Sequence, residues 1–373
     1  MRIMAVSHPC VTDVNQQFYA ELEALGHEIQ LIVPSNFRHA YASTPVAVTR
    51  WRTFNGEIRQ RHIGLSSSIP LHFYTTSLRP LIRNFNPDVL YVEEEPYSLS
   101  AWQAFYASRG LSMKRIIYSA QNITKKYPAP FKWSEQYVLE RADMAAVVSE
   151  EVRTTIQSKG FRGQTLSFPL GVDTYQFRPS GMERRTTRSQ LGLKDDFIVG
   201  YVGRLVEEKG IQNIIDAVPH FQGTDVRFLI VGNGPLLDRV KRIQQQHPNH
   251  VYVKSSVPHR DVQYWMNAMD VLLLPSLTMT NWKEQFGRVM LEALACKVPV
   301  IGSDSGEIPK LLTETGGGWI FPENDVAKMT QMIYDVRNNE QKRSLHAGKG
   351  YRSVLNKFSK RALAKSFVDK VCS

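Results

Sequence analysis

Cysteine is scarce in this chain: Cys10, Cys296 and Cys372 are the three in 373 residues. They stand far apart and are odd in number. They build neither a disulfide framework nor a cysteine-based metal site, and a reducing cytoplasm is the expected setting. Long apolar runs are also missing. No stretch reaches the roughly 18 residues that a membrane-spanning helix needs. The opening MRIMAVSHPC has too short an apolar run to read as a secretory signal. No sequence repeat of about 20–50 residues is visible; the two halves share architecture only. Acidic residues are outnumbered, 35 Asp and Glu against 46 Lys and Arg, for a net charge of +11. Such a balance admits nucleic acid, anionic lipid or a phosphorylated substrate as partner. The dense basic stretch is MERRTTRSQ (Met182–Gln190), and no nucleic-acid recognition motif accompanies it.

What is present is a soluble globular composition, 42% apolar and 22% charged, in a chain long enough for two cores. Short β-branched runs alternate with amphipathic stretches throughout. RIMAVS, EIQLIVP, DVLYVEE, RIIYSA, MAAVVS and QTLSFPL read as strands in the first half. FIVGYVG, VRFLIVG, VYVKSS, VLLLPS, VPVIGS and GGWIFP do so in the second. Strands that are apolar on both faces and alternate with helices imply parallel sheets covered on both sides. The fold class is therefore α/β, with two Rossmann-like domains facing a central cleft. Asp173–Asp196 is polar and without periodicity, and it reads as the interdomain linker. The expected boundaries are 1–178 and 179–356, with a last amphipathic helix over 357–373. Ligands in such sheets bind beyond the carboxyl ends of the strands.

Three segments sit at such ends. In GYVGRLVEEKG, Gly203 closes a strand, Arg204 follows, and Lys209 precedes the next helix. Two cations beside a helix N-terminus suit an anion such as phosphate; a charged turn with Lys209 paired to Glu207 or Glu208 is the alternative. IVGNGP resembles part of a dinucleotide fingerprint but lacks its third glycine and its acidic residue. In EQFGRVMLE, Glu284 and Glu292 are eight residues apart, with the helix starting near Gly287. Were all of it helical, the glutamates would lie roughly 12 Å and about 80° apart. That geometry does not suit a glycosidase pair, which needs about 5–9.5 Å. It suits the two ends of an elongated ligand: a nucleotide sugar, with hexose hydroxyls at one tip, ribose hydroxyls at the other and a diphosphate between; a solvated Glu284 with an outward-facing Glu292 is the alternative.

Together these segments resemble the retaining nucleotide-sugar glycosyltransferases of glycosyltransferase family four, with the GT-B fold. The resemblance is close in the second half and weaker in the first, through VVSEEVRTTIQSKG and FPLGVDTYQFRP. It implies that Arg204 and Lys209 neutralise the donor diphosphate, so that no metal or other cofactor is needed. It implies that Glu284 binds the transferred sugar, with Gly203 and the amides of Phe286 and Gly287 near sugar and phosphate. Glu292 would bind the ribose, and Val257 would pack near the base. The first domain would take the saccharide or lipid-linked acceptor, and helix 357–373 would pack back onto it. The implied activity is transfer of a hexose with retention, in polysaccharide or glycoconjugate biosynthesis. A sugar-nucleotide epimerase of similar fold and a basic nucleic-acid-binding module are the other readings.

Two departures from the family pattern matter. The loop after the first strand, SHPCVTDVNQQF, has no glycine, leaving Asn15 or Gln16 as candidates for donor contact. Where relatives place a histidine near the sugar, this chain has YSAQNITKKYP, with Gln121 or Asn122 at that point; Asn122 as a helix N-cap is the other reading. YVEEEP at a strand end reads either as an acceptor-side wall or as a solvated acidic turn. SSSIPLHFYTTSLRPLIRNF mixes aromatic and basic residues and reads as an interfacial or a buried helix. The first of these would bring the protein to the inner face of an anionic membrane as a peripheral contact.

Overall fold

A computed structural model describes residues 1–38, 44–122, 124–125, 127–280, 282–284 and 287–372. The chain divides into two compact units, Met1–Pro169 with Lys360–Ser373, and Leu170–Ser359. Each apolar run picked out in the sequence forms a parallel strand.

The first unit holds β1 (Arg2–Val6), β2 (Glu28–Pro34), β3 (Glu57–Arg61), β4 (Ile63–Gly64), β5 (Phe73–Tyr74), β6 (Val89–Val92), β7 (Lys114–Ser119), β8 (Met144–Val147) and β9 (Gln164–Ser167). Its sheet runs β3-β2-β1-β6-β7-β8-β9, with β4 and β5 as a separate antiparallel pair. The helices are α1 (Gln17–Ala24), α2 (Arg79–Phe85), α3 (Leu99–Ala107), α4 (Phe131–Arg141) and α5 (Glu150–Ser158). Ser98 and Ser149 cap α3 and α5 by accepting amide hydrogen bonds from Ala101 and Val152, as small polar residues do at helix starts. Strand β3, EIRQR, escapes an apolar search because it is an edge strand with exposed faces; charge there blocks unwanted pairing. The stretch from Ser66 to Phe85 is not one helix. It comprises a loop, β5 and α2, and α2 buries Ile82 and Phe85.

The second unit repeats the logic. Its strands are β10 (Phe197–Val202), β11 (Val226–Val231), β12 (Val251–Lys254), β13 (Val271–Leu274), β14 (Val300–Ser303) and β15 (Gly318–Phe321), ordered β12-β11-β10-β13-β14-β15. The helices are α6 (Gly181–Leu191), α7 (Ile211–Ala217), α8 (Leu237–Gln246), α9 (Val262–Ala268), α10 (Arg288–Ala295), α11 (Ile308–Thr315), α12 (Val326–Asn338) and α13 (Glu340–Ser353). Alternate residues of one strand feed opposite cores. Ile198 and Leu272 join one cluster, Val199 and Leu273 the other. This two-sided burial is why the strands read as unbroken apolar runs. In both sheets the winding reverses beside the first strand, between β1 and β6 and between β10 and β13. Loops there diverge and leave a crevice at the carboxyl ends.

The stretch Asp173–Asp196 is not a linker. It belongs to the second unit and contains α6, which starts at the Ser180 cap and ends at a left-handed Gly192. Its basic residues mask the helix in an apolar reading, yet two of them point inward. Arg184 and Arg188 both pair with Asp270, at 2.6 and 2.5 Å. The second unit thus starts at Leu170, ahead of the 178/179 boundary expected from composition.

Helix α14 (Lys360–Cys372) belongs to the first unit. Its Phe367 is fully buried and meets the rings of Phe18, Tyr91 and Phe168 at 5.5, 5.4 and 6.1 Å. Truncating such a ring to alanine typically costs about 3–5 kcal/mol, so α14 is an integral part of that core. Among the described residues, no helix is long and apolar enough to cross a membrane.

Candidate active site

The second unit's crevice is built by two neighbouring strands. Strand β10 stays apolar through Val202 and then turns through Gly203, Arg204 and Leu205. A short 3-10 turn, Glu207–Lys209, follows and ends at Gly210, the N-cap of α7. Gly210 has φ +68°, and a Cβ on it would lie 1.8 Å from the carbonyl oxygen of Pro275. Only glycine lets the backbones after β10 and β13 approach so closely. That approach sets Lys209 beside the segment after β13.

There Lys209 Nζ meets Glu284 Oε2 at 2.5 Å. The Ser276 hydroxyl donates to the same oxygen at 3.0 Å, and the Gly287 amide donates to Oε1 at 3.3 Å. Lys209 Nζ also lies 4.8 Å from the centre of the Trp282 ring, within the range of a cation–π contact. The two side chains are 18% and 9% exposed, so the pair is largely withdrawn from water. Glu284 stands before α10, whose N-cap is Gly287 at φ +63°; the helix does begin where the sequence suggests. Phe286 lies outside the described residues. Among the described residues, Lys209 and Glu284 form one contact rather than two separate stations. Strand adjacency, which the sequence does not reveal, is the reason.

Arg204 is placed differently. Its side chain is 67% exposed and lies 3.4 Å from Glu208. Tyr201, buried beneath it, donates its hydroxyl to the Arg204 carbonyl at 2.7 Å. Burial, with the Glu284 charge, pushes the Tyr201 phenol well above its usual range, so it stays a donor. Gly203 is packed against Gly232, where a Cβ would lie 1.9 Å from the Gly203 oxygen; the GNG motif serves this close turn.

Glu292 projects from α10 into a half-closed setting. Its carboxylate is 6% exposed, with Oε1 3.0 Å from His259 Nε2 and 3.4 Å from Arg288 Nε. His259 was not legible as a site residue, though its segment VPHRD follows β12 at a strand's carboxyl end. Ser276 and Trp282 were also missed. Val257 lies in the same loop and lines a cavity of about 980 Å³ with Met182, Lys254, Ser256, Tyr264 and Trp265. The Asn233 amide donates to Ser256 Oγ at 3.2 Å, tying the GNG turn to this loop.

In the first unit, the candidates Asn15, Gln16 and Gln121 each hydrogen-bond within that unit. Gln16 is buried; its amide nitrogen donates to the Cys10 and Thr49 carbonyls, and its oxygen accepts from the Trp51 amide. Asn15 donates to the Pro9 carbonyl. Gln121 donates to the Tyr127 hydroxyl and accepts from Lys159 Nζ. Asn122 caps no helix, since α4 starts at Phe131 with Pro130 as its N-cap. The glutamates of YVEEEP are not a solvated turn. Glu93 accepts from Ser7 and Tyr19, at 2.7 and 2.9 Å. Glu95 accepts from Ser119 and from the Ala120 amide, and burial pushes its carboxyl up to about 7. Glu94 joins His8 and His72, and each of the three offers a ligand atom within 4.8 Å of the others.

Comparison with known proteins agrees with this architecture. Residues 183–352 match the family model for glycosyl transferases group 1, and residues 12–176 match that for glycosyltransferase family 4. The chain is 31% identical over 202 residues to the GDP-mannose-dependent alpha-(1-6)-phosphatidylinositol monomannoside mannosyltransferase of Mycolicibacterium smegmatis, covering 52% of this chain and 53% of that protein. It is 27% identical over 264 residues to the capsular polysaccharide biosynthesis glycosyltransferase CapM of Staphylococcus aureus, covering 65% and 66%. The chain spans about half the length of the first curated relatives it matches, from 48% to 53%. Among solved structures, Anabaena HepE in complex with UDP superposes with a TM-score of 0.71 at 18% identity over 100% of both chains. A glycosyltransferase from Rickettsia africae superposes with a TM-score of 0.74 at 16% identity, over 99% of this chain and 97% of that one. At such identities these structures speak for the fold alone.

Proposed function

Since the chain belongs to the glycosyl transferases of group 1, in their family-four-like form with the GT-B fold, we propose that it is a retaining hexosyltransferase of polysaccharide or glycoconjugate biosynthesis. Its donor is a nucleoside-diphosphate sugar, and its acceptor a saccharide or lipid-linked saccharide. The observation that carries the reading is the Lys209–Glu284 pair at the reversal point of the second sheet.

Lys209 is a cation already desolvated and aimed across a crevice. A donor diphosphate competes with Glu284 for it. Breaking the C1–O bond to phosphate builds negative charge on the leaving diphosphate, and one preorganised donor at such a position is worth about 3–4 kcal/mol of barrier. Arg204, free to swing from Glu208, supplies a second cation on binding, so the charge is met without a metal. Glu284, once Lys209 turns to phosphate, accepts from hexose hydroxyls while Ser276 and the Gly287 amide hold it in place. Glu292 accepts from the ribose, oriented by His259, and the base packs near Val257. The acceptor oxygen attacks C1 on the face the phosphate leaves, and its proton passes to the departing diphosphate oxygen, so configuration is retained.

A thermal-shift screen of UDP, GDP, ADP and their sugars identifies the donor, because a ligand of the native state raises the melting temperature by mass action. With that donor, Lys209→Ala and Glu284→Ala lose transfer while keeping the wild-type circular dichroism spectrum. Wild-type turnover in both variants would refute these roles.

A further inference from the structure

We propose that His8, His72 and Glu94 form a binding site for one zinc-class divalent cation, built entirely within the first unit. Strands β1 and β6 pair in register, Val6 opposite Val92. Two residues further along each strand come His8 and Glu94, so the sheet itself sets them side by side at its carboxyl edge. The loop between β4 and β5 brings in His72 as the third member.

The two innermost groups, His72 and Glu94, have fully buried side chains. His72 Nδ1 is 2.7 Å from the Ile69 carbonyl oxygen. A carbonyl cannot donate, so Nδ1 carries a proton, and the other ring nitrogen, Nε2, is turned inward toward Glu94. That nitrogen has no hydrogen-bond partner and faces Glu94 Oε1 at 3.6 Å. A buried ring nitrogen opposite a buried carboxylate oxygen needs a positive centre between them, and a divalent cation held by all three groups supplies one. Metal-ligating histidines commonly donate their other ring proton to a backbone carbonyl, as His72 does.

The third member completes a ligand set. His8 Nδ1 lies 2.6 Å from Glu94 Oε2, and the His8 amide donates to Glu94 Oε1 at 2.8 Å. Tetrahedral zinc, about 2.0–2.1 Å from each ligand atom, separates its ligands by about 3.3 Å. His72 Nε2, 3.6 Å from Glu94 Oε1, is close to this spacing, and His8 meets the other carboxylate oxygen, Oε2. The His8 contact opens by a small ring rotation when the cation replaces its proton. Phe37 backs the two imidazoles, with ring centroids 5.2 and 6.4 Å away. Two histidines and one carboxylate leave a fourth position open, as zinc sites that bind water or a substrate oxygen do. His8, 15% exposed, is the side from which water enters. The set is made of residues 8, 72 and 94, a spacing that matches no sequence motif for metal.

This site does not depend on the donor reading, and its test has a separate readout. The full-length protein is stripped with EDTA, reloaded with zinc chloride and dialysed. Zinc per chain is then measured by plasma mass spectrometry, and a cobalt derivative is examined by visible absorption. The expected result is one zinc per chain and the strong visible bands of four-coordinate cobalt. His72→Gln and Glu94→Gln should abolish both. Because buried variants can misfold, His8→Gln on the rim is the decisive one. It should keep the wild-type dichroism spectrum while losing zinc affinity by roughly tenfold or more. A folded wild-type protein that retains no zinc, with a doubly protonated His72 ring by nitrogen NMR, would overturn the proposal in favour of an imidazolium–carboxylate cluster. Equal zinc retention by wild type, His8→Gln and His72→Gln would overturn it too, by placing the metal on other histidines.

Discussion

Lys209 and Glu284 touch with side chains only 18% and 9% exposed, and a double-mutant cycle measures what that contact is worth. At 2.5 Å and an effective dielectric near 20, the gross attraction is about 7 kcal/mol. Desolvation of both charges offsets most of it, so the net worth of the pair is far smaller. Removing one partner is another matter. Lys209→Met leaves a buried carboxylate whose other partners among the described residues are Ser276 and the Gly287 amide. The expected loss is about 3 kcal/mol, at the lower end for a broken buried pair. Glu284→Gln keeps the shape, and Lys209 can turn toward water through its exposed fraction, so about 2 kcal/mol is expected. The double variant has no charge left to strand. It should lose less than Lys209→Met alone rather than the sum, giving a coupling of more than about 2 kcal/mol. Urea denaturation of the four proteins reads this directly, provided the slopes agree. Losses that add within about 0.5 kcal/mol would show that the two groups act independently, and the electrostatic reading of the crevice would fall. In parallel, the nucleoside diphosphate that raises the wild-type melting temperature should no longer raise that of Lys209→Met.

Gly210→Ala should cost at least about 2 kcal/mol, since it combines a left-handed φ with a Cβ 1.8 Å from the Pro275 oxygen; a wild-type urea midpoint would contradict the close approach of the β10 and β13 loops. Alkylation of the native protein should modify Cys372 alone. Cys10 and Cys296 are buried, and burial, with the charges of Glu93 and Glu292 respectively, raises their thiols well above the ordinary value; mass spectrometry finding either labelled before unfolding would refute this. Asp225 is held below its ordinary carboxyl value by its hydrogen bond and charge interaction with Arg337, 2.6 Å away. A depressed native value means the pair stabilises above the unfolded value of about 4, and that stability is lost as pH falls through the native one. Arg337→Gln should therefore lower the urea midpoint at neutral pH and match wild type near pH 2; an equal deficit at both would assign the effect to packing.

Much of the architecture was legible because buried parallel strands cannot hide. FIVGYV, VRFLIV and VLLL are apolar on both faces since helices cover both, and the sequence alone determines that two such sheets form. The start of α10 was legible as well, since Gly287 marks it. Edge strand β3 and helix α6 were not. Their residues are charged, and only the tertiary structure shows that Arg184 and Arg188 turn inward to Asp270. The candidate site divides the same way. Lys209, Glu284 and Glu292 could be named from their places at strand ends. That Lys209 grips Glu284, that His259 holds Glu292, and that His8 and His72 converge on Glu94 were decided by strand order and register. These contacts join residues 75, 33 and up to 86 positions apart, and a linear pattern carries no record of which strand lies beside which.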